Sequence, residues 1–489
     1  MGRRKADRPA NAAQARHPDG APCTLRPMQK IRTLLLAALL TTGCTLASGA
    51  ESEAAAGPAS PKLRALAASL RAHDETALDS FWKQVKSGNT PLIETLPGAA
   101  DDALYTWLWQ AQPGQVALNV LFNAWMPLRA ERGGFDKFTR LGDSNVWYTS
   151  YTLPRSAHIR YELISPKGWH ASPDRSTYFT MDDVEYETFR DPLNADTAEW
   201  NNTVTSHTQG PDATTSPFLK KRDDVPHGMV QTVAAGSRAV QVYTPPGYKK
   251  GFHSYGLLLV FDGVQYTTAV PTPAILDNLI AEKAIPPLIA VFLESPDRDN
   301  EFPPNDAFQK FIGEELVPDL QAHYRLSGDP MRNAVLGSSY GGLAAAYTAF
   351  KHPGVFGNAI SQSGSFGWSP PVSGAPALSN LRAGNPDSGW IIKHMAEAPR
   401  VKIRFFLDVG TWEGGGMLSS NRLMRSVLTG KGYDVSYHEA PGTHHSYYWM
   451  LRLPDALQAA LGERRAAKIK AAASESRGLQ APESRASTP

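Results

Sequence analysis

Residues 334–343 read Ala-Val-Leu-Gly-Ser-Ser-Tyr-Gly-Gly-Leu, and a helical pattern of small residues follows at once. An apolar run that ends in Gly-x-Ser-x-Gly and continues into a helix predicts a nucleophile elbow, the sharp turn that carries a reactive serine. Ser339 is the central serine, because with Ser338 in that place Leu336 would occupy the first glycine position. The flanking glycines let the strand and helix backbones approach closely. The stretch therefore predicts Ser339 as a nucleophile, with the backbone N–H of Tyr340 aimed at a substrate carbonyl oxygen.

The rest of the C-terminal half alternates apolar strands with helical segments. Strand patterns cover 256–262, 288–293 and 401–407, and a helical pattern over 308–323 precedes the elbow strand. Continuous apolar strands separated by helices are typical of a mostly parallel sheet that is covered on both faces. We therefore predict an α/β fold, with an α/β-hydrolase domain over 226–462.

The N-terminal half has a different pattern. Residues 60–88 place apolar side chains at helical spacing, whereas residues 100–165 change to period two, with Tyr105 and Trp107 on one strand face. Several short strands separated by turns predict a small all-β sandwich of immunoglobulin-like architecture. We place this N-terminal domain over 60–205.

Three polar stretches predict loops or disorder. Residues 166–225 are rich in Asp, Thr, Asn and Pro, which predicts a loop-rich connection that ends in a linker over 206–225. Residues 463–489 are rich in Ala, Ser, Arg and Glu, as disordered tails are. Residues 1–27 are polar and basic without apolar periodicity, which indicates an over-extended start or a disordered N-terminus.

The following segment predicts export. Residues 28–50 combine a short basic start with the apolar run 34–40, which is too short to span a bilayer and is typical of a secretory signal. We therefore expect a periplasmic protein whose mature chain has no transmembrane span. The formal net charge is +2 without a long basic run in the folded part, so nucleic acid is not an expected partner.

Two processing sites compete within this signal. Residues 48–50 (Ser-Gly-Ala) fit ordinary signal peptidase, whereas Cys44 resembles the lipidated cysteine of a lipobox. Leu40 lies one position too far upstream for that lipobox, so soluble export is favoured over lipid anchoring. Cys23 and Cys44 both lie at or before the signal, which excludes a disulfide framework, a thiolate nucleophile and a Cys-ligated metal in the mature chain. We predict neither a metal nor a cofactor.

The serine needs a base, which in α/β-hydrolases follows the acid along the chain. His444 and His445 lie on a loop between a predicted strand over 435–439 and an aromatic helix, where the base is expected. His444 is preferred over His445. His352 lies at the end of the elbow helix, where capping is the expected role.

The loops after two other strands contain the candidates for the acid and for the second oxyanion donor. Asp408 and Glu413 both follow the predicted strand over 401–407. Glu413 is preferred because it lies farther into a glycine-rich loop, from which a carboxylate can reach an imidazole. Gly263 or Val264, after the strand over 256–262, would supply the second backbone N–H.

Several stretches of the chain resemble the enterochelin (enterobactin) esterase family, within the esterase-D/feruloyl-esterase group of α/β-hydrolases. In the C-terminal part they are 225–228, 242–248, 259–263, 297–302, 337–342 and 361–366. Residues 90–94, 105–109 and 191–194 resemble that family's β-sandwich domain. The resemblance implies a carboxylic ester hydrolase with Ser339, His444 and Glu413 in its catalytic roles. The family's Gly-Gly-His-Asp string is Gly-Thr-His-His here, so His445 departs from the pattern.

The resemblance also implies a substrate class, the ester bonds of a catecholate siderophore such as enterobactin, iron-loaded or iron-free. Ferric enterobactin is a trianion with flat rings, which favours cations and aromatic side chains in its site. Arg298 is the candidate cation, with pairing to Glu301 as its structural alternative. The candidate stacking residues, which could instead belong to the core, are Trp368, Trp412, Tyr448 and Trp449.

The sequence is compatible with three functions. The leading hypothesis is an exported serine esterase that releases iron by hydrolysing a catecholate siderophore. The alternative is a carbohydrate feruloyl or acetyl esterase whose sandwich domain binds glycan. A second alternative is an inactive protein that binds the siderophore without hydrolysing it.

Overall fold

The computed structural model describes residues 58–88, 90–112, 119–122, 136–166, 175–181, 184–200, 203–249, 254–370 and 389–462. The predicted signal, the N-terminal 27 residues and the predicted tail lie outside the described residues. Among the helices that are described, no helix combines the length and the apolar character that crossing a membrane requires.

The described residues of the N-terminal half form two helices and eleven strands. The helices are α1 (Pro61–Arg71) and α2 (Ala77–Gly88). The strands are β1 (Leu92–Thr95), β2 (Asp102–Gln110), β3 (Asn119–Phe122), β4 (Asp136–Lys137), β5 (Thr139–Arg140), β6 (Val146–Pro154), β7 (His158–Pro166), β8 (Arg175–Met181), β9 (Val184–Phe189), β10 (Thr197–Trp200) and β11 (Thr203–Gln209). One antiparallel sheet has the order β1-β2-β6-β5, and a second has β10-β11-β7-β3-β4, with β9 paired to β7 and β8.

The two sheets enclose an aromatic core, as the period-two pattern predicted. Tyr105 and Trp107 from β2 face Tyr161 and Leu163 from β7, and the rings of Trp107 and Tyr161 meet edge to face at 5.6 Å. The outer face of β2 is also buried, because α1 and α2 lie on it and pack against Leu108. Strand β2 is therefore apolar on both faces.

The predicted loop-rich connection over 166–225 is wrong over its first part, where β8 to β11 lie. Polar side chains occupy this region because the fold satisfies their hydrogen bonds internally. Asp191 is fully buried, and its carboxylate accepts hydrogen bonds from the hydroxyls of Thr90 at 2.6 Å and Tyr161 at 2.7 Å and from the N–H of Leu193 at 2.8 Å. Burial raises the pKa of Asp191. Asp191, which belongs to the family-like stretch 191–194, thus has a structural role.

A mixed sheet forms the C-terminal half. Its strands are β12 (Met229–Ala235), β13 (Arg238–Thr244), β14 (Gly256–Phe261), β15 (Leu288–Leu293), β16 (Ala334–Ser338), β17 (Asn358–Gln362), β18 (Arg404–Gly410) and β19 (Asp434–Ala440). The order is β12-β13-β15-β14-β16-β17-β18-β19, antiparallel among the first three and parallel from β15 onward. Strand β12 was not predicted from the sequence, because five of its seven residues are exposed on this edge strand.

Helices cover this sheet on both faces, as predicted, and each face has its own apolar cluster. The helices are α3 (Gly263–Thr267), α4 (Thr272–Ala281), α5 (Arg298–Glu301), α6 (Asp306–Lys310), α7 (Val317–His323), α8 (Tyr340–Lys351), α9 (Trp390–Glu397), α10 (Gly415–Gly430) and α11 (Ser446–Leu461). A π-helical turn over Phe311–Leu316 joins α6 to α7 within the helix predicted over 308–323. Pro318 follows that turn and lacks the N–H that a continuous helix would use.

Strand β18 differs from its prediction in a way that bears on the active site. It runs from Arg404 to Gly410 instead of over 401–407, because its pairing with β17 and β19 continues to the carboxyl ends of those strands. Asp408 therefore lies inside the strand, paired with Gln362 and His438.

Candidate active site

The predicted elbow forms where β16 meets α8. Ser339 stands between them with φ of 55° and ψ of −121°, a conformation that ordinary residues rarely adopt. Its N–H donates to the carbonyl oxygen of Gln362 at 2.9 Å, which holds the turn against β17. A Cβ at Gly337 would lie 2.3 Å from the carbonyl oxygen of Gly341, so the crossing of strand and helix requires glycine. The neighbouring strand and these glycines thus hold Ser339 in its strained position.

Two loops bring His444 and Glu413 to this serine. Ser339 Oγ lies 2.9 Å from His444 Nε2, and His444 Nδ1 lies 2.8 Å from Glu413 Oε2. His444 follows β19, and Glu413 follows β18, so both come from the carboxyl ends of parallel strands beside the elbow. Glu413 has a fully buried side chain, whereas that of His444 is 23% exposed. The arrangement can draw a proton from the serine hydroxyl and stabilise the resulting imidazolium.

Asp408, the alternative acid, contacts Gln362 instead of His444. It is fully buried in β18 and contacts Gln362 Nε2 at 3.3 Å. Burial raises the pKa of Asp408 to about 7, with the nearby Arg452 opposing the rise. Its carboxylate is thus held where the charged form is disfavoured, and Glu413 makes the contact with His444.

Sequence reasoning did not assign a role to Ser363, which positions the carboxylate of Glu413. The Ser363 hydroxyl donates to Glu413 Oε1 at 2.5 Å, and the N–H of Gly410 donates to the same oxygen at 2.7 Å. Trp449 Nε1–H in turn donates to Ser363 Oγ at 2.8 Å. Ser363 has a positive φ of 49°, so an unusual backbone conformation sets the position of its hydroxyl. The only sequence signal was its place in the family-like string 361–366.

Ser363→Ala tests this positioning role. The change removes one of the donors that fix Glu413 and leaves the Trp449 indole N–H without its acceptor. We expect kcat to fall roughly tenfold, because Glu413 is then held less firmly against His444, with little change in KM. Steady-state kinetics on a small aryl ester would measure both constants. An unchanged kcat would remove Ser363 from the site.

The three candidate oxyanion donors differ in what they contact. Tyr340 is the first residue of α8, and the first N–H groups of a helix have no partner inside it. The Val264 N–H already donates to Glu294 Oε2 at 2.8 Å, which makes it a poor candidate. Gly263 stands at the start of α3, where a Cβ would lie 2.8 Å from the backbone of Phe292. The contact to Glu294 leaves Gly263 as the better second donor.

Arg298 lies beside the elbow but already has a partner. Its guanidinium donates to both oxygens of Asp262, at 2.6 and 2.8 Å, and lies 3.4 Å from the carbonyl oxygen of Ser338. Pairing of Arg298 with Glu301, the structural alternative, is not observed, because Glu301 pairs with Arg238. The side chain of Arg298 remains 37% exposed, so one face of this cation is open to solvent.

The aromatic candidates lie in packed surroundings. Trp368 is buried beside Trp390, and Trp449 is buried with its ring edge to face with His444 at 5.3 Å. Tyr448 is buried against Gly442, where a Cβ would lie 2.0 Å from its ring. Trp412 is half-buried against the core of the N-terminal sandwich. These placements favour the structural alternative for Trp368, Tyr448 and Trp449.

Residues 232–460, which carry the elbow and both partner loops, match the family model named Esterase. This part of the chain, here called the esterase domain, is similar to that family. The predicted enzyme class, a carboxylic ester hydrolase, is confirmed.

Similarity to known esterases extends beyond residues 232–460. The iron(III) salmochelin esterase of Escherichia coli O6:H1 is 26% identical over 388 residues, which cover 76% of this chain and 90% of that protein. The iron(III) enterobactin esterase of Dickeya dadantii is 24% identical over 415 residues, 78% of this chain and 92% of that protein. The predicted resemblance to enterobactin esterases is therefore confirmed.

Solved structures support the fold. The ferric enterobactin esterase of Salmonella typhimurium covers 78% of this chain and 98% of its own, with 19% identity and a TM-score of 0.60. The enterobactin esterase of Shigella flexneri, solved in the presence of enterobactin, has 20% identity and a TM-score of 0.56, and covers 78% of this chain and 97% of its own. The α/β-hydrolase fold, preceded by separate antiparallel sheets, is confirmed.

Proposed function

We propose that this protein is an exported serine esterase that hydrolyses the ester bonds of a catecholate siderophore of the enterobactin type. The observation that supports the chemistry most strongly is the hydrogen-bonded chain from Ser339 through His444 to Glu413, with distances of 2.9 and 2.8 Å. A serine with an oriented base is what acyl transfer requires.

In the proposed mechanism Ser339 Oγ attacks the ester carbonyl carbon while His444 Nε2 takes the hydroxyl proton. The N–H groups of Tyr340 and Gly263 stabilise the oxyanion of the tetrahedral intermediate. His444 returns the proton to the leaving alcohol as the ester C–O bond breaks, which leaves an acyl-enzyme. Water, deprotonated by His444, then attacks the acyl carbon, and His444 returns the proton to Ser339 Oγ as the acyl C–Oγ bond breaks, which releases the acid and the free serine.

The substrate class rests on how far the similarity to the siderophore esterases extends. Their matches of 388 and 415 residues are longer than the esterase domain, so they extend into the N-terminal half. The match to the endo-1,4-beta-xylanase/feruloyl esterase of Xylanibacter ruminicola covers only 29% of this chain and 22% of that protein. This difference favours a siderophore ester over a feruloyl ester. Export to the periplasm rests on the pattern over 28–50.

Turnover of three substrates would test the proposal. The purified protein would be incubated with enterobactin, ferric enterobactin and a feruloylated oligosaccharide, and the products identified by mass spectrometry. We expect release of catecholoyl-serine units, and the first two substrates show whether iron must be bound. Preferential hydrolysis of the feruloyl ester would overturn the proposed substrate class while leaving the serine chemistry intact.

A further inference from the structure

The loops that carry Glu413 and His444 are joined to each other. The N–H of Trp412 donates to the carbonyl oxygen of Gly442 at 3.0 Å. A Cβ at Gly410 would lie 2.2 Å from that same oxygen, so the loops approach as closely as backbone allows. A hydrogen bond and a close backbone contact therefore join the acid loop to the base loop.

Both loops also contact the N-terminal sandwich through the residues next to their catalytic candidates. Trp412, which precedes Glu413, packs against the sandwich core. His445, which follows His444, places Nε2 at 2.9 Å from Nη1 of Arg160, a residue of β7 that is 285 positions earlier in the chain. The two sides also line one small cavity, to which the sandwich contributes Arg160 and the base loop contributes Thr443. The sandwich thus touches both loops beside the candidate catalytic residues.

Arg160 is well placed to hold this contact. It is 7% exposed, and its Nε donates to the hydroxyl of the fully buried Thr205 on β11. Burial lowers the pKa of Arg160 to about 10, while the charge of Glu162 opposes the shift, so the guanidinium stays charged at neutral pH. A second contact lies beside it, where the hydroxyl of Tyr447 meets Nε2 of His207.

His445 is held neutral between two donors. The N–H of Tyr447 lies 3.0 Å from His445 Nδ1 at the start of α11, and Nε2 lies 2.9 Å from the guanidinium of Arg160, which can only donate. A neutral ring accepts at one of these nitrogens, and with its proton on Nδ1 it accepts from Arg160, whereas a protonated ring could accept at neither. Burial, and then the charge of Arg160, lower the pKa of His445 to about 3.

We propose that the N-terminal sandwich is part of the catalytic apparatus, with Arg160 as a positioning residue that holds the His445 loop and thereby sets the distance between His444 and Ser339. This inference rests on the proposed serine mechanism and adds a role for the sandwich. The aspartate that follows the base in the family pattern is His445 here, which provides the imidazole nitrogen that faces Arg160.

The test compares Arg160→Met with Arg155→Met. Arg155 lies in the same half of the chain and pairs with Asp212 at 2.7 Å, away from both loops, so its variant controls for the loss of a sandwich arginine. The substrate is 4-nitrophenyl acetate, and the rate at which a fluorophosphonate labels Ser339 is measured in parallel. Thermal unfolding of both variants reports any loss of fold.

We expect Arg160→Met to lower kcat and the labelling rate together, by roughly ten- to a hundredfold, with KM and the midpoint of unfolding close to those of the control. Arg160→Lys should recover part of the rate, because an ammonium can also donate to His445. Tyr447→Phe provides a milder variant with the same direction of effect. Wild-type kcat in a folded Arg160→Met, or an equal loss in Arg155→Met, would overturn the inference.

The small ester separates this inference from the substrate proposal. The role of Arg160 is wrong, although siderophore hydrolysis stands, if Arg160→Met keeps full activity on both substrates. The role of Arg160 can be correct even if the siderophore is not a substrate, because 4-nitrophenyl acetate reports only on Ser339 and its partners. A wild-type protein that neither hydrolyses the ester nor reacts with the fluorophosphonate would overturn both proposals.

Discussion

Replacing Ser339 with alanine is expected to abolish ester hydrolysis, with kcat lowered by roughly 10⁶-fold. The reason is chemical, because alanine offers no nucleophile and His444 then has no hydroxyl to deprotonate. Substrate binding should persist, since the hydroxyl contributes one contact among many. Hydrolysis of a siderophore and of 4-nitrophenyl acetate would be measured side by side. Retention of a substantial rate on either would exclude Ser339 as nucleophile.

Ser338→Ala is the matched control for that variant. Ser338 is buried at the end of β16, and its hydroxyl accepts a hydrogen bond from Gln265 Nε2 at 3.1 Å, away from His444. The same chemical change one position earlier should leave most of the activity. Equal losses in the two variants would point to damage of the elbow itself, which a thermal unfolding curve would reveal.

Replacing Glu413 with glutamine is expected to give the next largest effect, a fall in kcat of about 10³- to 10⁴-fold. The amide keeps the shape of the side chain but loses the charge that stabilises the imidazolium of His444. Its NH₂ group can also donate to His444 Nδ1 and so favour the wrong tautomer. Steady-state kinetics on an aryl ester, from acid to alkaline pH, would measure the loss.

Asp408→Asn tells the two acid candidates apart. Burial raises the pKa of Asp408 to about 7, and the side chain contacts Gln362 instead of His444. An amide of the same shape should therefore fit with little loss of kcat. A greater loss in Asp408→Asn than in Glu413→Gln would reverse the proposed roles of the two carboxylates.

The elbow, the parallel strands and the two N-terminal helices were predictable because their signals are local. Gly-x-Ser-x-Gly after an apolar strand defines its own turn, and the strand over 288–293 has the predicted bounds. Glu413 and Asp408 were harder to separate. The end of β18 depends on its pairing with β17 and β19, which no short stretch of sequence records.

The aromatic candidates show a second limit. The sequence does not show whether a tryptophan faces a substrate or packs behind the site. Trp449 donates to Ser363, which in turn donates to Glu413 beside His444. The strands over 166–225 were missed because their polar residues resemble loops until internal hydrogen-bond partners are known. Contacts such as that of Arg160 with His445 join distant segments, so they required the fold.

The measurement that tests the central claim most directly is mass-spectrometric mapping of a fluorophosphonate adduct on the purified protein. The hydrogen-bonded chain to Glu413 predicts one phosphonyl group on Ser339, and none there after replacement of His444 with alanine. An adduct on a different residue, or no adduct on a folded protein that still hydrolyses esters, would contradict the proposed mechanism.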